Sequence, residues 1–168
     1  MFWAKPAYDG SGIAAYQVTS SDGQVSTVSS AARSATVNGF DTTTPLTVSV
    51  AAVNAAGQAG PGTLSTFHPT TTSTSVSTTR ATPGRYFTVT GRVVRRGTST
   101  AVASMPVSLQ RRMWGKTTWS SLSTGTTGSG GTKAWSVKHY SKATYRVVAK
   151  GVAASLGSYG SSRVVSTR

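Results

Sequence analysis

The chain has 168 residues, no cysteine, and 17 basic against 3 acidic side chains, for a formal net charge of +14. No disulfide can contribute to its stability, and no apolar run approaches the roughly 20 residues of a membrane helix. Three carboxylates, two histidines and no thiol leave few groups able to transfer protons, attack a substrate or hold a metal. The sequence therefore reads as non-catalytic, without metal or cofactor. Charge is also unevenly placed. Residues 1–67 hold Lys5 and Arg33 against Asp9, Asp22 and Asp41, whereas residues 68–168 hold fifteen basic side chains and no acid. Such a step predicts two domains and gives the second an affinity for anionic partners.

The opening, MFWAKPAYDG, contains no continuous apolar segment, so no signal peptide is present as written. In chain order, SGIAAYQVTSSDGQVSTVSS then predicts strand, turn and strand, with Asp22-Gly23 as the hairpin turn. ATVNGF predicts a further short strand. PLTVSVAAVNAAGQAGPG begins with period-2 alternation at Leu46, Val48 and Val50 and breaks at Asn54 and Gly57, and GTLSTF closes the set. Trp3 and Pro6 with GIAAYQV, SATVNGF and VSVAAVNAAGQAGPG make residues 1–67 similar to the fibronectin type III module in its bacterial form. The resemblance implies an antiparallel sandwich. It also implies that Trp3 belongs to the family's second strand, so that the first strand is missing and Met1 is not the natural start of the protein. Leu46 stands where the family has a tyrosine.

HPTTTSTSVSTTRATPGR reads as a Pro/Thr/Ser linker over 68–75, with His68 exposed in it, although STSVST within it already starts the next sheet. Beyond it, RYFTVTGRVV alternates Phe87, Val89 and Val93 on one face, with Gly91 as a bulge or close-packing point. MPVSLQRR points Val107 and Leu109 inward. TTWSSLST, KAWSVKH, TYRVVAKG and SSRVVST predict four more strands, the second of them after the loop GTTGSGG. FTVTGRV, PVSLQRR, Trp119, GGTKAWSV and YRVVAKG resemble the bacterial immunoglobulin-like sandwich over residues 76–168, a module found beside adhesion, hydrolase and peptidase domains of secreted proteins. The expected fold class is all-β, two tandem antiparallel β-sandwiches. The resemblance implies an extracellular or cell-surface location, neighbouring domains in a longer chain, and a core position for Trp119.

The few polar groups with chemical potential have plainer readings. Asp9 and Asp22 each precede glycine and read as turn residues, Asp41 lies in a loop, and His139 follows a strand. GTTGSGGTK lacks the strand, helix and lysine spacing of a phosphate loop. The stretch SLQRRMWGKTTWSSL, by contrast, packs cations and tryptophans together. Strand alternation turns Ser108, Gln110 and Arg112 to solvent. With Tyr145 and Val147 inward, Arg146 and Lys150 point outward beside Arg112, and Arg163 on the last strand is expected to join them. Arg111, Trp114 and Lys116 form the rim. Trp135, alternating with Val137, is assigned to the core. Two functions are compatible with this pattern: an accessory or spacer module, and a binder of anionic cell-wall polymers or acidic polysaccharide through the basic face. Nucleic acid would be held only without sequence specificity, since no helix-turn-helix, zinc finger or RNA-binding motif is present.

Overall fold

The computed structural model describes residues 2–5, 12–39, 43–152 and 155–168. Pro6, Asp9, Phe40 and Asp41 lie outside the described residues. All regular structure among those described is β, and the chain divides into two compact units, Met1–His68 and Pro69–Arg168.

The first unit contains β1 (Ala15–Ser20), β2 (Val25–Ser29), β3 (Leu46–Val53) and β4 (Thr63–Phe67) in one antiparallel sheet, order β2-β1-β3-β4. The β1–β2 hairpin turns where Gly23 takes a φ of 91°, a conformation that costs glycine little because it has no Cβ. Asp22 lies in that turn. Ser20 and Gln24 donate to its carboxylate, and the Ser20 hydroxyl is the main influence holding its pKa below the ordinary 3.8. Alternation buries Tyr16 and Val18 of β1 against Leu46, Val48 and Val50 of β3. Partly buried Trp3, Ile13, Ala35 and Val37 cover them, with the Trp3 ring edge-on to Tyr16 at 5.4 Å. The strand expected at ATVNGF does not form among the described residues. Ser34 makes an isolated bridge to Phe2, and Ala35 and Val37 pack side chains onto the sheet.

The second unit is a two-layered sandwich. Its smaller sheet is β10-β7-β5, built from β5 (Thr70–Val76), β7 (Tyr86–Arg95) and β10 (Thr132–Lys138). Its larger sheet runs β6-β13-β11-β8-β9, from β6 (Arg80–Ala81), β8 (Pro106–Met113), β9 (Ser120–Thr126), β11 (Ala143–Ala149) and β13 (Arg163–Thr167). β12 (Ser158–Tyr159) pairs the far end of β11. The chain changes sheets between β5 and β6, and β6 runs parallel to β13. Phe87, Val89, Val93, Trp135 and Val137 face Val107, Leu109, Tyr145 and Val147 across the core. Gly91 marks the closest approach of the layers: a Cβ there would lie 2.6 Å from Val147 Cγ1. The register of β7 with both neighbours is unbroken, so Gly91 is a close-packing point and not a bulge.

The span expected as a 68–75 linker is mostly strand, because β5 pairs with β7 over Thr70–Val76. Thr70, Thr72 and Thr74 turn inward and are buried. Their hydroxyls bind across to the opposite layer. Thr70 Oγ1 donates to Leu156 O at 2.7 Å, Thr72 Oγ1 meets Ser158 Oγ at 2.7 Å, and Thr74 Oγ1 accepts Val147 N–H at 2.9 Å. A buried polar group is tolerated when it is hydrogen-bonded, and these are. His68 ends the first unit and is half-buried rather than exposed.

Candidate functional site

Pairing of β8 with β11 sets Leu109 opposite Val147, Gln110 opposite Arg146 and Arg112 opposite Thr144. Directly opposed residues share a sheet face, so Gln110, Arg112 and Arg146 all lie on the outer side, away from the Leu109–Val147 core. β12 pairs Tyr159 with Val148, which adds that ring to the same face. Gln110 pairs with Ser121 of β9, and Trp119 follows Ser121's parity, so it too is outside.

The resulting geometry is a cation–aromatic ladder. The Arg112 guanidinium carbon lies 5.0 Å from the Trp119 ring centroid, and that of Arg146 lies 4.1 Å from Trp119 and 4.8 Å from Tyr159. Arg146 Nε donates to Gln110 Oε1 at 2.9 Å, which fixes the plane of its fork. A guanidinium lying on an aromatic ring retains in-plane N–H groups that can bind a carboxylate or phosphate in bidentate fashion. Trp119 is thus half-buried beneath arginines on the outer face and is not a core residue, contrary to the expectation. The core tryptophan of this unit is Trp135.

The other expected site residues separate. Arg111 and Arg163 both lie directly opposite Tyr145, on the inward side of the larger sheet, and therefore do not join Arg112 and Arg146. Arg163 Nε donates to Thr74 O at 2.9 Å, bridging the two layers at their edge. Arg111 hydrogen-bonds Tyr145. Burial raises the Tyr145 phenol above its ordinary pKa of 10.0, while Arg111 partly opposes the shift. Lys150 is exposed one residue beyond β11. Trp114 and Lys116 are exposed in the β8–β9 turn, and Lys142 Nζ sits 3.2 Å from the Trp114 ring centroid. Sequence reasoning turned Gln110 outward beside Arg112 but missed Trp119 and Tyr159 as parts of the face. Parity carried no signal for Trp119, because the register shift at Leu109/Gln110, where Ser123 and then Ser121 are the partners, reverses the alternation of β9 ahead of it.

His139 is fully buried. Its ring stands edge-on to Phe87 at 6.1 Å, and Nε2 lies 3.4 Å from Thr167 Oγ1. This is a packing role at the end of the core. Among the described residues, no three His, Cys, Asp or Glu side chains gather where they could hold a metal.

A scan of protein-family models finds no match to this chain, and comparison with curated proteins finds none either. Among solved structures it is similar to the central fibronectin-III array of RIM-binding protein (17% identity, 99% of this chain, 62% of that chain, TM-score 0.35). It is also similar to the D00-D0 domain of intimin (18% identity, 89% of this chain, 77% of that chain, TM-score 0.38). A third is the fibronectin(III)-like modules of Clostridium thermocellum CbhA (13% identity, 96% of this chain, 83% of that chain, TM-score 0.38). The chain thus spans less than two thirds of the RIM-binding protein array. The all-β fold class rests on this chain's own strand pairing.

Proposed function

We propose that the protein is a non-catalytic accessory module acting outside the cell, whose second unit holds anionic wall polymers or acidic polysaccharide on the outer face of its larger sheet. The observation that carries this reading is the ladder Arg112–Trp119–Arg146–Tyr159, in a unit whose sequence contains no carboxylate side chain. Both guanidiniums lie over aromatic rings, and Arg146 is held through Nε rather than through its terminal nitrogens. Lys150 adds an exposed charge beyond the end of β11. A polymer with a repeating oxyanion would gain from each cation in turn, and its binding would weaken as salt screens the contacts.

The test is a titration of a poly(glycerol phosphate) chain and a uronic-acid polysaccharide against wild type and the Arg112→Ala/Arg146→Ala/Lys150→Ala variant across a salt series. The variant should fold normally, lose low-salt affinity, and show a salt slope lower by about one for each phosphate contact removed. Equal binding by variant and wild type would make the face a solvated surface and leave only the spacer role.

A further inference from the structure

The β10–β11 connection, residues 139–142, leads from the end of the smaller sheet to the start of the larger one, so the strand ends beside it form one pole of the second unit. Three large aromatic side chains are exposed on this pole: Trp114 at 64%, Tyr140 at 63% and Tyr86 at 66%. They occupy adjoining segments. Trp114 N–H donates to Lys142 O at 3.2 Å, Tyr140 precedes Lys142 by two residues, and Lys138 pairs directly with Tyr86. Two ammoniums serve the three rings. Lys142 Nζ lies 3.2 Å from the Trp114 centroid, and Lys138 Nζ lies 5.6 Å from Tyr140 and 5.9 Å from Tyr86. Exposing three large rings in one region is uncommon for a surface without a partner, and a lysine at each ring selects for negative charge.

We propose that this pole is a second binding site, separate from the Arg112–Arg146 face, and that its ligand is a polysaccharide containing uronic acid. A uronate residue presents an apolar C–H face and, at the edge of the same ring, a carboxylate. A ring–lysine pair matches both within one sugar: the aromatic surface takes the C–H face and the ammonium takes the carboxylate. A nucleotide carries its charge on the backbone, away from the stacking base, and fits ring–lysine pairs this closely spaced less well. The exposed Ser141 beside Tyr140 adds a hydroxyl that can donate to or accept from sugar hydroxyls.

The experiment uses the full chain with three probes: oligogalacturonate, a neutral galactan oligomer of equal length, and single-stranded oligo-dT. Trp114→Ala/Tyr140→Ala should keep the wild-type melting temperature and lower oligogalacturonate affinity at least about tenfold, including at about 1 M salt, where screening reaches roughly 3 Å. Lys138→Gln/Lys142→Gln keeps the rings and should reduce discrimination against the neutral galactan. Arg112→Ala/Arg146→Ala should leave the high-salt binding intact, so failure of the sheet-face reading and failure of this one are separately visible. Unchanged affinity in the Trp114/Tyr140 variant, absent binding by wild type, or tighter binding of oligo-dT through the same rings would overturn the proposal.

Discussion

Among the described residues of the first unit, a four-stranded sheet buries five apolar side chains, Tyr16, Val18, Leu46, Val48 and Val50, beneath a partly buried cover. In the second, two sheets close over fourteen, from Ala81 to Val165. The charge follows the same division. The unit with the smaller described core is near neutrality, and the unit with the larger core carries fifteen cations without an acid. Like charges repel and oppose compaction, so a surface this basic is best tolerated where burial is deepest. Aromatic rings beneath the guanidiniums offset part of the repulsion by cation–π attraction, at about 0.5–1 kcal/mol for each exposed contact.

Two of the three tryptophans of the second unit, Trp135 and Trp119, give the sharpest way to break this comparison. Trp135→Ala should cost about 3–5 kcal/mol, the usual loss for an emptied core tryptophan, and should lower the melting transition of the second unit while leaving that of the first in place. Trp119→Ala should cost far less, about 1–2 kcal/mol from two cation–π contacts, yet should weaken polyanion binding because both guanidiniums lose their platform. Equal destabilisation by the two would return Trp119 to the core. Calorimetry of both variants decides it.

Gly91→Ala comes next. Its Cβ would sit within 3.0 Å of three Val147 side-chain atoms, and overpacking of this kind costs about 1–3 kcal/mol. Val147→Ala in the same chain should relieve that clash, and a double-mutant cycle should show the coupling. Absence of coupling would contradict the close approach of the two layers. Thr74→Val should cost about 1–3 kcal/mol, since it strands the buried Val147 N–H without an acceptor, and denaturant unfolding measures it.

The smallest effect is on pH dependence. Burial raises the Tyr145 phenol in the folded state, so the unfolded chain ionises first. The stability gained is fully present below about pH 10 and is lost as pH rises through 10 toward the folded value. Tyr145→Phe should remove this component, leaving a flatter alkaline limb in unfolding measured between about pH 9 and 11. An unchanged limb would show that Tyr145 does not titrate differently on folding.

Alternation made most of the core legible: Leu46, Val48 and Val50 in the first unit, and Phe87, Val89, Val107, Leu109, Tyr145 and Val147 in the second, are buried as period-2 reading requires. Gly91 was legible as a bulge or close-packing point, since a glycine inside an apolar strand marks one or the other, and the unbroken register of β7 decides for close packing. β5 was not. Its inward residues are Thr70, Thr72 and Thr74, and a Ser/Thr run bounded by prolines carries no apolar signal. Only the hydroxyl partners on the opposite layer, 73 to 88 residues away in sequence, make it a buried strand. On the candidate face, Arg112 and Arg146 followed from parity, but the same rule applied to Arg111 turns it inward with Val107 and Leu109. Arg163 required the β11–β13 register, which no local pattern supplies. Trp119 was misplaced because the bulge in the β8–β9 pairing, which sets its side of the sheet, leaves no local pattern in the sequence.

The most direct test of the cation–aromatic face is an NMR titration with a short polyphosphate, following arginine Nε–H, tryptophan indole and backbone amide signals together. The account predicts concerted, saturable shifts at the Arg112 and Arg146 side chains and the Trp119 indole, with Arg111, Arg163 and the first unit nearly still. Shifts spread evenly over all the cations of the second unit, or Arg111 and Arg163 moving as much as Arg112 and Arg146, would contradict it.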